Sequence, residues 1–146
     1  MPSARSDTET RLPRRERRVL VVEDDHVIAS SLAADLKEFG FVVIGPAHNL
    51  ADASAMASTS AVDCALIDIA LGVETALPVA QILADRHIPF VFMTGESEGT
   101  FHEVPTLLKP FTFEELRHAL QQLLPPDREP EISTSLSRPA RDPTRV

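Results

Sequence analysis

Three consecutive acids, Glu23, Asp24 and Asp25, follow an apolar run at residues 19–22, and one more, Asp68, closes a second run at 62–67. Thr94 closes a third run, and Lys109, one of only two lysines, follows a fourth and directly precedes Pro110. Carboxylates brought together repel unless a proton or cation intervenes. A small hard cation, Mg2+ above all, suits such oxygen ligands and keeps part of its water. A carboxylate beside it can attack a phosphoryl group and become an aspartyl phosphate. The transferred group then needs neutralising charge and donors, which an ammonium and a hydroxyl supply. Taken singly, each residue has an ordinary use: an acid at a strand end caps a helix, Thr94 serves a turn, Lys109 is a surface charge. The chemistry exists only if the fold brings them to one place.

The intervening chain alternates between short apolar runs and helical patterns. Val19-Leu20-Val21-Val22 reads as a strand buried on both faces. Ile28, Leu32, Leu36 and Phe39 recur at helical spacing, and Gly40 stops them. Residues 41–44 form a second strand closed by Gly45-Pro46, and Asn49 or Asp52 caps a short helix running through Ser58. Residues 62–67 form a third strand, 75–86 a helix with Pro78 in its first turn, 89–93 a fourth strand and 105–108 a short fifth. Thr112-Phe113-Glu114-Glu115 is a capping box opening a last helix striped by Leu116, Leu120 and Leu123. Doubly apolar strands separated by helices predict an α/β fold. Its doubly wound parallel sheet has five strands in the order 2-1-3-4-5, flavodoxin-like. Only residues 95–105 link strands four and five, with Gly95 and Gly99 among them, so the fourth crossover helix is shortened. In such a sheet, ligands bind outside the carboxyl ends of the strands where the winding reverses. All the candidate residues stand there.

Composition narrows the function. The chain has 146 residues, enough for one domain with tails. Residues 1–18 carry six Arg against three acids and read as a disordered Arg-rich tail. Residues 125–146 hold five prolines and read as a Pro-rich one. The domain at 19–124 holds four basic and fifteen acidic residues, a field that repels nucleic acid and favours cations or basic partner surfaces. Aromatics are 5%, without Trp or Tyr, so the core is aliphatic. No apolar run approaches the roughly 18 residues of a membrane span. Residues 1–18 lack an apolar h-region and do not read as a secretory leader. The lone cysteine, Cys64, excludes an internal disulfide and reads as an inert buried thiol. These features predict a soluble cytoplasmic protein.

The segments VLVVEDD, ALIDI, FVFMTG and LLKPF, in that order, resemble the receiver domain (CheY-like) of two-component response regulators, over most of residues 19–124. IPFVFMTG followed by LLKPF further resembles a stand-alone subfamily bearing a Pro-Phe-x-Phe-x-Thr-Gly motif. The resemblance implies that Asp68 is the phospho-acceptor, Thr94 the switch hydroxyl and Lys109 the phosphate-pairing ammonium. It implies a Mg2+ site of Asp24, Asp68 and the backbone carbonyl of Ala70, with Glu23 acting through water. It implies a cis Lys109–Pro110 bond and a phosphorelay in which a histidine kinase or phosphotransfer protein is the donor. The 22 residues after Leu124 are too few for an output domain. The chain is therefore expected to be a non-enzymatic single-domain regulator, acting through contact with an unknown downstream protein, a homodimer among the outcomes, or as a phosphate sink.

Two departures qualify this expectation. Receivers commonly carry an aromatic residue three before the lysine, which swings inward on phosphorylation; here that place is Thr106. The short link at 95–105 either closes over the phosphate, with Gly95 as pivot, or is merely a deleted surface element. A receiver-like binding module that is never phosphorylated is the alternative. An aspartyl-phosphate hydrolase of the haloacid-dehalogenase kind is disfavoured, since Glu23-Asp24-Asp25-His26 lacks its Asp-x-Asp pattern. His26 reads as a surface residue opening the first helix, because hard cations prefer oxygen. His48, His87, His102 and His118 show no ligand spacing. Phe90 and Phe92 read as core, with Phe111 and Phe113 partly exposed.

Overall fold

The computed structural model describes residues 16–95 and 105–124. The expectations for the two tails and for the shortened fourth crossover fall largely outside them. The chain order is β1 (Arg18–Val22), α1 (His26–Glu38), β2 (Val42–Ala47), α2 (Leu50–Thr59), β3 (Cys64–Asp68), β4 (Ala70–Leu71), β5 (Glu74–Thr75), α3 (Leu77–Asp85), β6 (Phe90–Thr94), β7 (Thr106–Leu108) and α4 (Phe113–Leu123). Five parallel strands form one sheet in the order β2-β1-β3-β6-β7, the doubly wound arrangement expected. Among the described residues no helix is long and apolar enough to cross a membrane.

Burial on both faces explains the uninterrupted apolar strands. Val19 to Val22 are wholly buried. Leu20 and Val22 pack with Ala53, Ala57, Val79 and Leu83 on one side. Val19 and Val21 pack with Leu32, Leu36, Leu116 and Leu120 on the other. Phe92 belongs to the core, Phe90 is half-buried, and Phe113 is exposed as expected. Burial pushes the Cys64 thiol up to about 12, so it stays protonated at neutral pH.

The helix starts follow the cap residues. Asn49 Oδ1 accepts from the Asp52 amide at 2.8 Å. Thr112 and Glu115 form the reciprocal box that opens α4. Asp25 Oδ1 accepts from the Val27 and Ile28 amides at 2.9 and 3.0 Å. That third acid of the triplet is therefore spent on α1.

Several boundaries shift by one or two residues from the sequence reading, β3 for one starting at Cys64 rather than Val62, and three of the differences have a visible cause. Arg18, placed with the tail, opens β1, held by its amide on Asp63 Oδ2 at 2.7 Å and its Nε on Ala61 O at 2.9 Å. The helix expected from Thr75 begins at Leu77, because residues 70–75 form an antiparallel hairpin, β4 with β5, that the sequence reading missed. Gly45-Pro46 does not close β2 but lies within it. The β1–β2 register passes from Leu20 with Ile44 to Val22 with Ala47, so β2 carries one extra residue there, a bulge.

Gly45 is what the bulge requires. Its φ is +92°, and a Cβ would meet Ala47 N at 2.8 Å and Val21 O at 3.1 Å, both unyielding backbone. Gly40 shares that conformation, at φ +95°, with nothing within 4 Å. Gly40→Ala is expected to cost on the order of 1 kcal/mol from the backbone alone. Gly45→Ala should cost clearly more. Urea denaturation of both variants checks this, and equal losses would contradict the close approach.

Candidate functional site

Parallel register brings the distant acids together. β1 pairs with β3 through Val22 and Ile67, so Glu23 and Asp68, each one residue further on, lie side by side. β3 pairs with β6 through Asp68 and Met93, placing Thr94 one step beyond. β6 pairs with β7 through Thr94 and Leu108, and the Lys109 amide donates to Thr94 O at 2.7 Å. The Lys109–Pro110 peptide is cis, as the sequence resemblance implied.

The side chains meet at that edge. Carboxylate oxygens of Glu23, Asp24 and Asp68 lie within 4.8 Å of one another. Lys109 Nζ donates to Asp68 Oδ2 at 2.9 Å and stands 2.8 Å from Glu23 Oε1. The second approach is an ion pair, and that shared ammonium is the contact the structure gives the buried Oε1. Asp68 Oδ1 accepts from the Ala70 amide at 3.2 Å, and Glu23 Oε2 from the Asp25 amide at 3.2 Å. Of the predicted residues, Glu23, Asp24, Asp68 and Lys109 thus share one cluster, with Thr94 and Ala70 on its rim. His26 is exposed and outside it, as expected.

The electrostatics follow from burial. Glu23 is fully buried and Asp68 nearly so. Burial pushes the Glu23 carboxyl up to about 7; the Lys109 ammonium opposes this and neighbouring Asp68 adds to it. For Lys109, burial works against the charge, but Glu23 and Asp68 outweigh it and leave its pKa raised. A fully buried carboxylate that shares its one ammonium with a second carboxylate is costly. A hard cation with its bound water would satisfy it, and three convergent carboxylates are the donor set such a cation takes. The residues fit Mg2+.

Two contacts were missed by the sequence reading. Asp24 Oδ2 accepts from the Gly72 amide at 2.9 Å, across the β4–β5 hairpin. Gly72, at φ +66°, takes the first place of a two-residue loop, which favours glycine, so Gly72-Val73 between two short β-formers was the available signal. His48 Nδ1 lies 2.9 Å from Glu23 O. No spacing rule marks such a contact.

Comparison with known proteins agrees with this geometry. Residues 19–121 match the response regulator receiver domain family. The chain is 27% identical over 129 residues to the transcriptional regulatory protein PdtaR of Mycobacterium tuberculosis, covering 83% of this chain and 62% of that protein. It thus spans less than two thirds of that curated relative. Its structure is similar to SdrG from Sphingomonas melonis Fr1 (37% identical, 74% of this chain and 96% of that one, TM-score 0.66). It shares the fold of TrrA from Thermotoga maritima, solved in complex with Mg2+-BeF (24% identical, 74% and 99% covered, TM-score 0.66). The chain belongs to the response regulator receiver domain family, whose members are signalling modules.

Thermal unfolding with and without Mg2+ checks the fit. Mg2+ at about a hundred times its dissociation constant should stabilise the wild type by about 2.7 kcal/mol. Asp24→Asn keeps an acceptor for Gly72 and removes one like charge. It should melt higher than wild type without Mg2+ and lose the response to it. A wild type insensitive to Mg2+ would contradict the donor set.

Proposed function

We propose that this receiver accepts a phosphoryl group on Asp68 from a phosphohistidine of a histidine kinase or phosphotransfer protein. One observation carries the reading. Three acids from two distant segments converge within 4.8 Å, with the Lys109 ammonium against two of them. Asp24, Asp68 and the Ala70 carbonyl would hold Mg2+ directly and Glu23 through water. When bound, the ion neutralises charge on the phosphoryl oxygens.

The chain's own groups do the rest. An Asp68 oxygen forms a bond to phosphorus while the phosphorus–nitrogen bond of the donor breaks. The imidazole leaves with the electron pair, and Asp68 carries a mixed anhydride. Lys109 Nζ, already 2.9 Å from Asp68 Oδ2, pairs with a phosphoryl oxygen. The Thr94 hydroxyl donates to another. The Lys109 amide donates to Thr94 O, which ties the two residues together through the backbone.

Thr106 bears on output. It stands in register with Phe92 on β6, where an aromatic residue would couple to the switch hydroxyl. A threonine side chain is too small for that relay, so the signal leaves by contact of the phosphorylated edge with a downstream protein or a second copy, or the protein drains phosphate as a sink. The acidic field of the domain disfavours nucleic acid as the target, and a phosphohistidine donor fits the cytoplasmic location expected from the sequence.

Incubation with acetyl phosphate and Mg2+, followed by intact-mass measurement, tests the assignment. The wild type should gain one hydroxylamine-labile phosphoryl group, which chelator and Asp68→Asn both abolish. Label retained in Asp68→Asn would overturn Asp68 as acceptor. No label in the wild type would favour the unphosphorylated binding module.

A further inference from the structure

Glu23 and Asp24 lie just past the last rung of β1, so the ladder no longer dictates how the peptide between them is turned. β1 pairs with β2 as far as Val22 and Ala47, after the extra residue at Gly45–Pro46 has shifted the register. The Glu23 amide still finds Ala47 O, at 2.9 Å. Among the described residues no backbone amide donates to the Glu23 carbonyl. A side chain stands there instead, His48 Nδ1 at 2.9 Å. A carbonyl oxygen can only accept, so Nδ1 carries the proton.

The ring is fixed from a second direction. His26, the first residue of α1, stacks on His48 with centroids 3.8 Å apart and planes 17° apart. His48 itself is half-buried, directly after β2 and directly before the Asn49 cap of α2. Its donor therefore belongs to a rigid corner rather than to a free surface side chain.

We infer that His48 is a positioning residue for the cation site. By holding the Glu23 carbonyl it sets the plane of the Glu23–Asp24 peptide, and with it the direction in which Asp24 presents its carboxylate to Asp68. Asp24 needs that restraint. Its other hold is the Gly72 amide on Oδ2, in a hairpin of two-residue strands. This inference rests on the reading of Glu23, Asp24 and Asp68 as a Mg2+ site. Groups that orient a metal ligand without touching the metal typically cost 10- to 100-fold in affinity when removed. A merely structural role would lower the melting temperature and leave the affinity of the folded protein unchanged.

Two substitutions in the full chain separate the hydrogen bond from the packing. His48→Phe keeps a ring to stack on His26 and loses the donor. His48→Asn loses the ring and keeps an amide donor close to where Nδ1 stands. Mg2+ dissociation constants measured by calorimetry, with melting temperatures in chelator, decide between the roles. His48→Phe is expected to bind Mg2+ about ten-fold more weakly, while His48→Asn binds near wild type. Long-range proton–nitrogen NMR of the wild type should show the His48 proton on Nδ1 before any metal is added. Wild-type affinity in His48→Phe, or an equal loss in both variants, would overturn the inference while leaving the cation site intact. A wild type that binds no Mg2+ would overturn the site itself and the inference with it.

Discussion

Two acids are held together in a nearly dry corner because one ammonium reaches both. Lys109 Nζ lies 2.8 Å from Glu23 and 2.9 Å from Asp68. Without it, two carboxylates at this distance and burial would not both stay ionised. Even with it, Glu23 sits near 7, so the corner is electrostatically unfinished. A hydrophobic replacement would pack there at lower cost. Such a loss of stability fits the proposed role, in which the corner would take a cation and then a phosphoryl group.

The remaining architecture delivers these groups. β1 and β3 are neighbours only because the sheet is doubly wound, and their carboxyl ends coincide because the register aligns Val22 with Ile67. β7 is three residues long, enough to carry Lys109 to the edge on a backbone bond to Thr94. Both core layers serve this alignment. Slippage of β1 by one residue would turn Val19 and Val21 toward the layer built for Leu20 and Val22 and carry Glu23 out of step with Asp68.

Strands buried on both faces announce themselves as unbroken apolar runs, so the main sheet, its order and the convergence of Glu23, Asp24 and Asp68 were legible in the sequence. The capping box located the start of α4 just as directly, while the start of α2 was narrowed to Asn49 or Asp52, of which Asn49 is the cap. Elsewhere the local signals misled. Gly45-Pro46 looks like a strand terminator, and only the β1–β2 pairing turns it into a bulge. Thr75 reads as the first residue of a helix, but Gly72-Val73 draws it back into a hairpin. Asp25 matched its two neighbours in chemistry, and only geometry shows it spent on the α1 amides. His48 had no readable signal, because its contact depends on a register shift three residues upstream.

A crystal structure with Mn2+ in place of Mg2+, read from its anomalous scattering, shows whether Asp24 and Asp68 share one cation. One peak is expected in contact with carboxylate oxygens of both Asp24 and Asp68, about 2.0–2.3 Å from each, with Glu23 reached through water. A peak touching only one of these acids, or lying away from this corner, would contradict it.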